Sequence, residues 1–179
     1  FKRDNGNLSV VSEVNFKITK LGVDLYKYFA KSEENYEQGA FKSYFSKTKQ
    51  NKKDRYVNIK FNPKKNNLII DGSSYKGEAS LDCIIGNWWN HKIFKANKQI
   101  SPLSGSIKKQ TVSLMGNENI TINGQEYSTE HFNIKSNDEN LSEEKKFEFD
   151  VWYNPENNLI LKVTYNKMGN WEYRLRSFD

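Results

Sequence analysis

Few residues in this chain have the type and spacing that chemistry requires. The two histidines, His91 and His131, lie outside any HxH or HExxH pattern, so a metal site would have to recruit carboxylates from far along the chain. Each is read as a surface or capping residue. Cys83 and His91 sit close enough in sequence to suggest a nucleophile and base. That order and spacing match no catalytic signature, and a lone cysteine commonly behaves as a small hydrophobe. Neither Ser104-Gly105-Ser106 nor Ser113 to Gly116 forms a GxSxG elbow. The neighbouring acids Glu33-Glu34 and Glu143-Glu144 would point to opposite faces of a strand, which prevents them acting as one acid–base pair. The glycines form no phosphate cradle. Trp88-Trp89-Asn90 is the most distinctive triplet. Its rings suit a pocket mouth with the amide orienting a polar group, or a plug with Trp89 in the core and Asn90 binding backbone. These residues favour binding over catalysis, and no cofactor or metal is expected.

The elements that must position them read as strands. Alternation of period two runs through Val10–Ile18, Val23–Lys31, Phe41–Lys47, Tyr56–Phe61, Leu68–Asp71 and Lys109–Leu114. It continues through Ile120–Ile122, Glu126–Ile134, Phe147–Tyr153, Leu159–Tyr165 and Trp171–Arg176. Turn chemistry falls between them at Lys20–Gly22, Pro63–Asn67, Asn123-Gly124, Pro155–Asn158 and Met168-Gly169-Asn170. The echo of Phe61–Ile70 in Tyr153–Leu161 is read as two similar hairpins of one sheet. Between Leu81 and Ser101 alternation fails, and Trp89, Ile93 and Phe94 fall at helical spacing with Asn87 as the expected N-cap. Asp138–Lys146 reads as a charged loop. The expected fold is mainly β: an antiparallel meander closed as a barrel or curled half-barrel, with one short helix as plug, in a single domain over 1–179.

Composition agrees. Of 179 residues only 36% are hydrophobic, and 11 Phe, 10 Tyr and 4 Trp supply much of that share, which suits half-buried pleated surfaces. The net charge of +6 comes mostly from lysine, and asparagine is also very abundant, a joint enrichment read as composition bias. Arginine, the residue best suited to forked phosphate contacts, is scarce, and the basic run Lys47–Arg55 reads as a solvated loop, so no nucleic-acid partner is expected. The single cysteine excludes an internal disulfide, and no apolar run is long enough for a transmembrane helix. The chain opens at Phe1 without an initiator methionine, as after removal of a signal peptide, a trimmed segment or disordered residues.

Tyr26-Lys27-Tyr28, Glu34 with Tyr36, Gly39, and Thr48 with Asn51 occur in an order that continues through Trp88-Trp89-Asn90 and Leu103-Ser104-Gly105. Trp152-Tyr153-Asn154, Gly169, Tyr173 and Leu175 complete it. In this the chain resembles a family of mostly secreted bacterial proteins known as a domain of unknown function. The family commonly opens with an extra strand carrying a glycine-containing turn, after which this chain is expected to start, and has His where Ala30 stands. The resemblance implies a signal peptide and a periplasmic or secreted location. At fold level it is similar to envelope carriers of lipoproteins and glycolipids. The functional expectation is an extracytoplasmic protein binding a lipid, glycolipid or other apolar molecule on a concave sheet, through Trp88, Trp89, Asn90, Tyr26, Tyr28 and Glu34. The alternative is an accessory module with a protein partner in the envelope.

Overall fold

The computed structural model describes residues 1–21, 23–165 and 171–177. The fold is mainly β, in two antiparallel sheets of seven strands, one of them curled as a half-barrel. The chain divides into two compact units, one comprising Phe1–Leu81 with Ile100–Ile107, the other Asp82–Gln99 with Lys108–Asp179.

The first sheet runs in sequence order through β1 (Lys2–Asp4), β2 (Asn7–Lys20), β3 (Val23–Glu37), β4 (Ala40–Gln50), β5 (Lys53–Asn62), β6 (Asn67–Gly72) and β7 (Lys76–Ala79). Its buried face is set by register. Val10, Glu34, Tyr44, Ile59 and Ile70 stand opposite one another across five strands, and all are buried. A single acidic residue thus occupies the middle of an apolar row.

The second sheet contains β8 (Ile84–Ile85), β9 (Lys98–Ile100), β10 (Ile107–Ile122), β11 (Gln125–Ser136), β12 (Glu148–Asn154), β13 (Leu159–Tyr165) and β14 (Trp171–Arg174), again neighbour to neighbour. The two short runs read at 109–114 and 120–122 are one strand. Met115 and Gly116 make a bulge that breaks the alternation while pairing with β11 continues on both sides. The core of the second unit gathers Ile93, Ile134, Val151, Tyr153, Ile160 and Val163, with Phe94 stacked on Phe132 at 4.3 Å.

The two meanders share a plan. The third and fourth strands of each are joined by a two-residue turn, Gln38-Gly39 in one and Asn123-Gly124 in the other, with both residues left-handed in each case. The fifth and sixth are joined by a four-residue turn that opens Asn-Pro and ends on a left-handed asparagine, Asn66 or Asn158. The echo therefore comes from one hairpin in each of two sheets, not from two hairpins of one sheet. The expected turn at Met168-Gly169-Asn170 lies outside the described residues.

The plug is shorter than expected. It is a 3₁₀ turn over His91–Lys95, capped by Asn90, whose Oδ1 accepts from the Lys92 amide at 3.1 Å. Asn87 is not the cap. Ile93 is fully buried, while Trp88 packs against the core, edge-on to Phe149 at 5.0 Å. Trp89, expected in the core, is half-buried. Such a short turn leaves carbonyls unsatisfied, and Gln110 from β10 supplies donors. Its Nε2 donates to the Ile93 and Ala96 carbonyls at 3.1 and 2.8 Å, and its Oε1 accepts from Gln99 at 2.7 Å. Replacing Gln110 by Leu removes all three bonds from a buried site. The expected cost is about 2–4 kcal/mol, read as a lowered urea midpoint.

Candidate functional site

Within the first unit, β3 directs Tyr26, Tyr28, Ser32 and Glu34 to the face shared with Tyr44, Ser46 and Thr48 of β4. The register makes Ser32 face Ser46 and Glu34 face Tyr44. Tyr26 and Tyr28 are half-buried and their rings lie nearly parallel, 11° apart, with centroids at 6.4 Å. Further along the face Glu34 is buried at 3% exposure, and the Tyr36 hydroxyl donates to its carboxylate. Phe41 braces the Tyr36 ring edge-on at 5.7 Å. Burial pushes the Tyr44 hydroxyl up to about 12. The negative charge of Glu34 adds to the rise, and hydrogen bonds with Ser46 and Ser32 partly offset it. The result is a ring platform at one end and a buried carboxylate among neutral hydroxyls at the other.

The loop 100–107 belongs to this unit and lies against the same face. The Ser46 hydroxyl donates to the Pro102 carbonyl at 2.6 Å, and the Ser74 amide to the Ser104 carbonyl at 3.0 Å. A methyl group on Gly72 would stand 2.6 Å from that Ser104 oxygen, so the approach requires glycine. Asn51, left-handed at the corner after β4, holds β3 by two bonds of 2.8 Å: its amide donates to the Lys27 carbonyl, and its Oδ1 accepts from the Lys27 amide.

A family model described as "Domain of unknown function (DUF6134)" matches residues 1–176. The chain belongs to this family. No curated protein and no solved structure matches it. In this DUF6134 protein, Tyr26, Tyr28 and Glu34 share one face of the first unit, whereas Trp88, Trp89 and Asn90 belong to the second. Asn90 is engaged in capping and Trp88 in core packing. Cys83 is buried and His91 exposed.

The second unit holds a cluster that the isolated residues did not announce. His131 Nδ1 lies 2.8 Å from Glu118 Oε1 and its Nε2 lies 3.1 Å from Asp150 Oδ1. Its ring stacks on Trp152 at 4.4 Å, the Trp152 indole donates to Glu118 at 2.8 Å, and the Lys162 ammonium sits 3.9 Å from the centre of the Trp152 ring. No group of metal-ligating side chains is found among the described residues. Counting outward from the Asn123-Gly124 turn already sets Glu118 diagonal to His131. Asp150 arrives from a separate hairpin, and the spacing of the isolated residues carries no trace of it.

Two pH dependences follow for this DUF6134 protein. Tyr44 has a raised value in the fold, so its neutral form contributes stability fully below about pH 10, lost as pH climbs towards about 12. In urea unfolding across that range, Tyr44→Phe should abolish an alkaline loss of up to roughly 2–3 kcal/mol. Glu118 lies below its ordinary range, held there by the Trp152 indole and His131. Its contribution is present above the usual carboxylate value and lost as pH falls through the lowered one. Glu118→Gln should therefore flatten the drop in urea midpoint between about pH 6 and about pH 3.

Proposed function

We propose that this DUF6134 protein is an extracytoplasmic binding protein that holds an amphipathic molecule, a lipid or glycolipid, against the tyrosine-bearing face of β3 and β4. The observation that carries the reading is the continuity of that face. Parallel, half-exposed Tyr26 and Tyr28 offer apolar area, and the same strand leads to a buried carboxylate suited to accept from a ligand hydroxyl. Two hollows in the second unit, about 250 and 290 Å³, are open, lined by residues as polar as Asn123, Gln125 and Arg174, and apart from the β3 and β4 residues of that face. Export and an envelope location belong to the same proposal and draw on the resemblance to secreted proteins.

A second reading, an accessory module of an envelope assembly, is favoured by one observation. Val11, Leu21, Val23, Leu25 and Phe29 are all exposed, between 40% and 95%, along a single hairpin.

Native mass spectrometry of the protein isolated from its own organism tests the first reading. The expected result is a mass excess lost on denaturation, with retention reduced about tenfold by Tyr28→Ala. A bare chain mass, together with no uptake from an envelope lipid extract, would sink it.

A further inference from the structure

The opposite face of the first sheet carries a different chemistry. Across β2, β3 and β4 the register sets Lys17 directly against Lys27, Lys31 against Lys47, and Phe29 against Lys49. All five lysines are exposed, as are Phe29 and Phe45. Like charges directly opposite on a sheet are unfavourable, yet two such pairs stand on this face. Among the described side chains the interspersed carboxylates are Glu13, Glu33 and Asp54, of which Glu13 lies 4.0 Å from Lys31, and the register adds Asp24 opposite Thr19. Five cations against four carboxylates leave the face slightly basic.

The same hairpin ends in an apolar tip, where a bulge at Leu25 shifts the register so that Asp24 stands opposite Thr19 and Val23 opposite Lys20. The pairing of β3 with β4 stops at Tyr28 and Gln50, and Asn51 adds the last two bonds, to Lys27. Beyond that point β2 and β3 project past β4 as a two-stranded ribbon. At its end Leu21 is 95% exposed, Val23 61% and Leu25 55%. A ribbon of two strands is marginal in water by itself, and aliphatic side chains at its end contribute nothing to it while solvated.

We propose that this ribbon and the lysine face beside it form a docking surface for an anionic lipid bilayer. Leu21, Val23 and Leu25 enter the interface, while Lys17, Lys27, Lys31, Lys47 and Lys49 lie over the headgroups. The combination matches what holds an amphipathic element at a charged membrane surface, apolar insertion together with lysine charge. Lysine serves here because a diffuse anionic surface needs point charges and not the arginine fork. A single-stranded nucleic acid would instead be met by a run of flat rings for stacking, whereas this face carries Phe29 and Phe45 alone among the described exposed rings of β2 to β4 and the tip presents aliphatic groups. The lysine face is the reverse of the tyrosine face and the tip lies beyond Tyr26 and Tyr28, so docking stands independently of the ligand proposed there.

Co-sedimentation with vesicles tests it. The intact protein should bind vesicles of mixed phosphatidylglycerol and phosphatidylcholine at least about tenfold more tightly than phosphatidylcholine alone, with binding weakened by salt. Val23→Ser with Leu25→Ser, and separately Lys27→Gln with Lys31→Gln and Lys47→Gln, should each lower binding about tenfold. These positions are exposed, and unchanged circular dichroism and urea midpoints would show that the fold persists. The proposal is overturned if the intact protein ignores anionic vesicles, or if both variants bind as well as the parent. It is also overturned if the serine variant instead dissolves a dimer seen by sedimentation, or if the lysine variant instead abolishes tighter binding to a single-stranded oligonucleotide.

Discussion

With only 36% hydrophobic residues, this chain depends first on pairing every strand with the next one along the sequence, and so on corners tight enough to permit it. Seven of the described corners turn through a residue in the left-handed region. Asn5, Leu21, Gln38, Asn51, Asn66, Asn123 and Asn158 take it, several with a glycine beside them. Five of these seven are asparagine, whose short amide tolerates that conformation better than other side chains do. The abundance of asparagine, which by itself resembles a composition bias, is in part the cost of having so many corners.

Those corners decide which side chains meet. Because pairing is strictly sequential, a row such as Val10, Glu34, Tyr44, Ile59 and Ile70 assembles from five consecutive strands, and a buried carboxylate is tolerated in it because Tyr36 donates to it. The same logic places apolar tyrosine faces on one side of β3 and lysines on the other. One strand thereby presents two surfaces of different chemistry, each continuous only because its register is fixed.

The long strands were legible because period two persists over ten or more residues, as in β3 and β11. Strands of two to four residues, β1, β7, β8 and β9, are too short to show a period and were not read. The 3₁₀ turn was placed correctly in the irregular segment, but its cap moved from Asn87 to Asn90. A five-residue turn has no helical stripe by which to fix its start. Tyr26 and Tyr28 were legible as one face since they share parity on one strand, while Glu34 lay beyond the run read as that strand, which extends to Glu37. The environment of His131 was only half legible, since Glu118 follows from one hairpin while Asp150 requires the next. Gln110 gave no sign at all, because what it satisfies, the Ile93 and Ala96 carbonyls, is backbone.

The return of the loop 100–107 to the first unit has a consequence for synthesis. The N-terminal meander is paired as far as Ala79, yet the groups that meet Ser46, Gly72 and Ser74 come from Pro102 to Gly105. A chain emerging from the ribosome with its N-terminal half first must therefore hold that half open at one place. It closes only after eighteen residues of the other unit, Asp82–Gln99, have been made. The half that emerges first is thus sealed only by residues that follow the opening segment of the other unit.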